Sequence, residues 1–321
     1  MSKINIDQLE NLVFSGGGVR GLAYVGMIMA FEDTFNIKVS DHFQCFSGSS
    51  VGALFALVCI MGLNVSACLE AFQKCGIENI FAKDPTWLLT NYALNSGQSL
   101  RSLVLSLLEM NSLNETSTFN DLHERTGKRL VIAVVDILSG STIYLDHANE
   151  GRDMPLILGI MASMALPPLF PPVHYQNGTN LPLLMIDGGL LDNFPLALFP
   201  SNSTLGVRTA WYIDPGSPMS DISSYYTRIL SILQVSMHSM LTTVQNEYPN
   251  SIFIDLGPVK ADTSEVDIKE IVFLGYRTSI AKFNGSISNY EEMPMKYINN
   301  KRIKLPAYIE NWKFSKNTNS N

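Results

Sequence analysis

Three short clusters carry residue types that could do chemistry. Gly48-Ser49-Ser50-Val51-Gly52 is a G-x-S-x-G pattern, in which only Ser50 has glycine two residues before and two after it. A hydroxyl on such a turn, at the start of a helix, meets the partial positive charge of free N–H groups, which favours a developing anion. Gly16-Gly17-Gly18-Val19-Arg20-Gly21 leaves successive N–H groups unshielded by side chains, which suits an anion. Asp187-Gly188-Gly189 places a carboxylate at the end of the apolar run Leu183 to Ile186, with no neighbouring side chain to block approach. Nucleophile, base and N–H donors are the parts that acyl transfer needs.

Each cluster also has a plainer reading. The serine cluster could be a Gly/Ser turn between a strand and a buried helix, and Asp-Gly is a common turn signal. Arg20 could anchor its loop, meet a substrate phosphate or be a solvated surface arginine. Gly16-x-Gly18-x-x-Gly21 satisfies the dinucleotide fingerprint, which wants an acidic residue at the end of the second strand, about twenty residues on. Asp41 has about that spacing, but it precedes the apolar run Phe43–Phe46, whose end is occupied by Gly48–Gly52. That argues against a nucleotide cofactor. A Ser-Asp-His triad would need a histidine after Asp187, and only His238 follows, inside an amphipathic helical pattern. His42, His123, His147 and His174 all come earlier.

The elements that must position these clusters follow from hydrophobic pattern. Asn11 to Ser15 reads as a strand running into the triple glycine and then a helical pattern through Leu22, Val25, Ile28, Met29 and Phe31. Phe43 to Phe46 repeats that grammar: strand, sharp turn, then an uncharged helix from Val51 to Leu63. Helices are expected over Ser66 to Phe81 and Gly97 to Leu108, the second with Leu100, Leu103, Val104, Leu107 and Leu108 on one face, while Trp87 to Asn95 is irregular. Leu130 to Asp136 is the strongest strand, suited to a sheet covered on both faces, with Ser141 to Leu145 as its hairpin partner. Leu156 to Ala165 is helical and runs into Leu166-Pro167-Pro168-Leu169-Phe170-Pro171-Pro172-Val173, a stiff apolar loop for core packing or for the wall of an acyl-chain pocket. Leu205 to Ile213 and Ser251 to Leu256 are further strands, and Ile222 to Gln245 is a long amphipathic helix whose methionines belong to the core.

The 321 residues are 46% hydrophobic, enough for a sizeable core, and are expected to form one domain. A net charge of −7, without concentrated Lys and Arg, argues against nucleic acid and makes any membrane contact apolar or transient. Cys45, Cys59, Cys68 and Cys75 lack metal-ligand spacing and read as free, buried thiols. The N-terminus lacks an apolar signal region, so a cytoplasmic chain, peripheral on membranes at most, is expected. The uncharged stretches Ser49 to Leu69 and Met154 to Val173 are interrupted by polar residues or prolines and are not membrane spans.

The three motifs, in this order, together with Ala162-Ser163-Met164-Ala165 ahead of Phe170-Pro171-Pro172, resemble the patatin-like phospholipase family over about Leu12 to Pro195. The resemblance implies a three-layer α/β/α fold with a central, mostly parallel sheet and a serine–aspartate dyad without histidine. Ser50 would be the nucleophile, in an elbow with Gly48 and Gly52, and Asp187 the general base; Gly16, Gly17, Gly18, Arg20 and Gly21 would form the oxyanion loop. It further implies hydrolysis of phospholipid, lysophospholipid or neutral glycerolipid esters without a cofactor or metal, with any activating protein partner unidentified. The corresponding organisation is a catalytic core over 8–200, a continuation of the same domain over 201–314 and a disordered tail over 315–321. A catalytically silent lipid-binding or storage protein on the same fold is the competing reading.

Overall fold

The computed structural model describes residues 4–80, 82–149, 151–177, 182–210, 224–225, 228–229, 232, 247–257 and 268–285. Among the described residues the apolar runs become eight strands: β1 Asn11–Phe14, β2 Cys45–Ser49, β3 Arg129–Asp136, β4 Ser141–Leu145, β5 Val173–Tyr175, β6 Leu183–Asp187, β7 Thr204–Thr209 and β8 Ile252–Ile254. Around them lie α1 Ala23–Phe35, α2 Val39–His42, α3 Val51–Ile60, α4 Val65–Cys75, α5 Ile77–Ile80, α6 Leu88–Asn91, α7 Gln98–Glu109, α8 Phe119–Thr126, α9 Leu156–Ser163 and α10 Ile268–Asn284. The strands form one mixed, mostly parallel sheet flanked by helices, the expected fold class. β1 pairs in parallel with β2 and β7, β2 with β3, and β7 with β8, whereas β4 and β6 run antiparallel to β3, and β5 antiparallel to β6.

The centre of the sheet has a feature on which the site depends. β4 occupies one edge of β3 from Ile132 to Asp136, so β2 and β6 must share the other. β2 pairs with β3 as far as Ser49↔Ala133, and β6 takes over at Asp187↔Val134. The descending end of β6 therefore meets the ascending end of β2 on a single edge of β3.

Alternation along the strands separates two cores. Leu12, Phe14, Phe46, Leu130, Ile132, Val134, Leu205 and Val207 face the large one, built with α1, α3, α4, α7, α9 and α10. Val13, Cys45 and Val131 face a smaller cluster with Phe194, Leu196, Phe199 and Tyr248. Helix α3 is buried at every position from Val51 to Ile60, as its lack of charge requires.

The sequence expectations differ from the structure in several places. The helix expected over Ser66 to Phe81 starts at Val65, where the Asn64 side chain accepts N–H groups of Ser66 and Ala67, but breaks at Gly76, whose φ is +75°, into α4 and α5. The irregular stretch from Trp87 to Asn95 contains the single turn α6, and the strand expected over Ser251 to Leu256 narrows to β8. Three helices were not anticipated: the single turn α2, α8 and α10. α8 starts with a reciprocal capping box between Thr118 and Asp121. α10 lies tightly against α1, where a side chain on Gly26 or Gly275 would strike the opposite backbone. Most of the helix expected over Ile222 to Gln245, His238 within it, and the tail 315–321 fall outside the described residues.

Cys45, Cys59 and Cys68 are buried, Cys75 is half-buried, and none forms a disulfide. Among the described residues no helix is long and apolar enough to cross a membrane; Ser49 to Leu69 is divided between α3 and α4.

Candidate active site

Ser50 stands between β2 and α3 with φ +54° and ψ −131°, a conformation that costs a non-glycine residue free energy and is held by its surroundings. The flanking glycines make the turn sterically feasible. A Cβ on Gly48 would strike the backbone of Gly52, and one on Gly52 would lie 2.5 Å from the carbonyl oxygen of Phe14. The side chain of Ser50 is thereby turned off the helix, half exposed, at the sheet edge.

Asp187 ends β6 directly beside it. The Ser50 hydroxyl donates to Asp187 Oδ2 at 2.7 Å, and the Gly189 N–H donates to Oδ1 at 2.7 Å. Asp187 is buried, and loss of hydration pushes its carboxyl up from the ordinary value of 3.8 to about 7, against the opposing pull of the bonds from Ser50 and Gly189. A hydroxyl bonded directly to a carboxylate of that basicity is the geometry of an activated nucleophile and its base.

The glycine loop lies alongside on the neighbouring strand β1, and its five residues differ in what their backbones do. The N–H of Gly16 donates to the carbonyl of Asn193 at 3.0 Å, while Asn193 Nδ2 donates back to the Gly16 carbonyl at 3.3 Å. The Arg20 N–H closes the turn on the Gly17 carbonyl at 3.1 Å. Gly21 packs against Val51 of the elbow helix. Among the described residues, the N–H groups of Gly17 and Gly18 have no protein acceptor. Gly18 has φ +54° and open space where a Cβ would stand. The Arg20 side chain is buried, which replaces the solvated surface reading.

A small apolar cleft opens beside Gly18 and Val19, lined further by Val51, Leu54, Phe55, Phe72, Leu100, Leu103 and Met164. Phe55 and Phe72 stack in its wall with ring centroids 6.1 Å apart. The proline loop is not part of this lining, and its Phe170 is buried in the large core. Sequence reasoning named neither Asn193 as the loop's clamp nor the cleft. Asn193 lies six residues beyond Asp187 and carried no local signal, and the cleft is assembled from α3, α4, α5 and α7.

Among the described residues, the histidines make their contacts away from the Ser50–Asp187 pair. His42 bonds the Ile6 carbonyl at 3.0 Å, His123 stacks on His147 at 3.7 Å, and His174 lies in β5. Asp41 lies in α2, before β2, and not at the strand end that a ribose would require.

Comparison with known proteins agrees with this architecture. A phospholipase of Vibrio cholerae described as cGAMP-activated is 28% identical over 206 residues, covering 59% of this chain and 56% of its own length. The lysophospholipase NTE1 of Saccharomyces cerevisiae is 28% identical over 224 residues, 68% of this chain but 11% of that protein. The chain thus spans little more than half of the bacterial relative. The crystal structure of VipD from Legionella pneumophila superposes with a TM-score of 0.51 at 17% identity, covering 87% of this chain and 67% of VipD, a likeness of fold. The family pattern described as patatin-like phospholipase matches residues 12–200, and the chain belongs to that family.

Proposed function

We propose that this protein is a lipid acyl hydrolase of the phospholipase A or lysophospholipase type, cleaving carboxylic esters of glycerolipids through a Ser50–Asp187 dyad. The observation that carries the reading is the direct 2.7 Å bond from the Ser50 hydroxyl to a buried carboxylate. It leaves no place for an imidazole between the two, which favours the dyad over a triad using His238.

In the proposed reaction Ser50 Oγ attacks the ester carbonyl carbon as its proton passes to Asp187 Oδ2. The N–H groups of Gly17 and Gly18 receive the oxyanion. Collapse of the tetrahedral intermediate expels the alcohol, which takes the proton from Asp187, and the acyl group stays on Ser50. Water then gives a proton to Asp187 as it attacks the acyl carbon, and collapse of the second tetrahedral intermediate breaks the bond to Ser50 Oγ, which takes that proton back from Asp187 as the fatty acid leaves. A base that protonates near pH 7 is matched to both halves of this cycle. The apolar cleft beside Gly18 and Val51 would take the acyl chain. The phospholipase names of the relatives support a glycerolipid substrate reached by transient contact with a lipid surface.

The test is fatty-acid release from mixed phospholipid vesicles with chelator present, comparing the protein with Ser50→Ala. Release that disappears in the variant supports the reading, and equal release from both overturns Ser50 as nucleophile. Lipid retention by both proteins without release would favour the lipid-binding alternative.

A further inference from the structure

The structure assigns a positioning role to Ser163: its hydroxyl holds the backbone of the nucleophile in its strained turn. Ser163 is the last residue of α9 and is completely buried. Its Oγ donates to the carbonyl of Ala133 at 2.7 Å and accepts the N–H of Ser50 at 2.9 Å. A hydroxyl has one proton to give, so this arrangement uses the donor on β3 and a lone pair on the elbow. Ala133 is the residue of β3 where pairing passes from Ser49 of β2 to Asp187 of β6, and its carbonyl faces Gly188. Ser163 thus bonds the strand at the point where the nucleophile and base elements meet.

Two residues further on, the carbonyl of Ala165 accepts the N–H of Asp187 at 3.1 Å. The end of α9 therefore ties both halves of the pair, Ser50 through a side chain and Asp187 through the main chain. The bond also removes the Ser50 N–H from the available oxyanion donors, which leaves that task to the glycine loop. This inference rests on the hydrolase reading, since it concerns the geometry of the same serine.

Ser163→Ala deprives two buried groups of their partner and leaves the turn at Ser50 free to relax. A misplacement of about 1 Å at a reacting group is enough to cost about 10²-fold. The experiment measures kcat and KM on phosphatidylcholine vesicles, the rate of Ser50 labelling by a fluorophosphonate probe, and the melting temperature, for wild type, Ser163→Ala and Ser163→Cys. The expected result is kcat and labelling lowered together by about 10–100-fold in Ser163→Ala with KM within about twofold, and an intermediate rate in Ser163→Cys, which keeps a weak donor and acceptor. All rates are read well below each melting temperature, so that loss of folded protein does not imitate the effect. A folded Ser163→Ala with wild-type kcat, or with a loss confined to KM, overturns the proposal. Should Ser163→Ala not fold, a folded Ser163→Cys with unchanged kcat overturns it equally. A wild type that neither hydrolyses lipid nor labels at Ser50 overturns the hydrolase reading itself, which the other outcomes leave standing.

Discussion

The glycine loop and the serine elbow are the same local construction on neighbouring parallel strands, and they present opposite things to the space between them. Both leave a strand, turn sharply with one residue at positive φ, and enter a helix buried in the large core. In the loop the positive-φ residue is Gly18, and what faces outward is backbone, with the N–H groups of Gly17 and Gly18 unengaged among the described residues. In the elbow it is Ser50, whose N–H is taken by Ser163 and whose hydroxyl donates to Asp187. One corner thus offers N–H donors and the other a serine hydroxyl bonded to a buried carboxylate. The difference comes from which group the surrounding structure has already satisfied.

That contrast can be broken most severely at the side-chain corner. Ser50→Ala is expected to lower turnover about 10⁴-fold or more while the fold survives, measured by fatty-acid release and thermal melting. Asp187→Asn comes next, with kcat lower by about 10³–10⁴-fold. In the parent protein activity should rise with pH through about 7, because the carboxyl must lose its proton to act as base. Stability should move the other way. The folded carboxyl keeps its proton up to about pH 7, whereas the unfolded chain releases it near the ordinary carboxylate value. Its contribution is therefore full below the unfolded pKa and is lost as pH rises through the folded one. The melting temperature of Asp187→Asn relative to the parent should accordingly climb between about pH 4 and pH 7 and level off above, and a flat difference would show that the carboxyl is not elevated.

The backbone corner should respond more mildly and in a different currency. Gly18→Ala meets no atom but places a side chain at φ +54°, so a stability loss of about 1–2 kcal/mol is expected. If the loop shifts its donors, kcat should fall about 10²-fold with little change in KM. Unchanged kcat would remove the loop from the chemical step. Phe72→Leu, in the cleft beyond both corners, should shift acyl preference toward longer chains by a few-fold, read from products of mixed-chain vesicles. His238→Ala should leave turnover within about twofold, and a large loss in a folded variant would restore the triad.

Legibility in the sequence followed the range of the interactions. α3 and the apolar face of α7 could be read because absence of charge and helical spacing are local properties: Leu100, Leu103, Val104, Leu107 and Leu108 are all buried. β3 was equally clear, as a continuous apolar run. α10 escaped because much of what places it against α1 is a close approach at Gly26 and Gly275, which are far apart in sequence. For Arg20 a loop anchor, a phosphate contact and a surface arginine were equally open on sequence, and its burial removes the last of these. β6 could be seen as a strand ending in aspartate, but its antiparallel direction could not, since Leu183 to Ile186 is equally apolar in either orientation.

By itself the sequence determined the local chemistry: which serine sits between permissive glycines, which aspartate follows an apolar strand, and which segment leaves its N–H groups unshielded. These are consequences of side-chain size, backbone freedom and hydrophobic period, and each acts within a few residues. Only the tertiary structure decided that Ser50 and Asp187 touch, because that depends on β2 ending at Ser49 and β6 beginning its pairing one residue further along the same edge of β3. The tertiary structure also decided how basic Asp187 is and which N–H groups remain unengaged. Burial and hydrogen-bond satisfaction are properties of the packed chain, set by residues as distant as Ala133, Ser163 and Asn193.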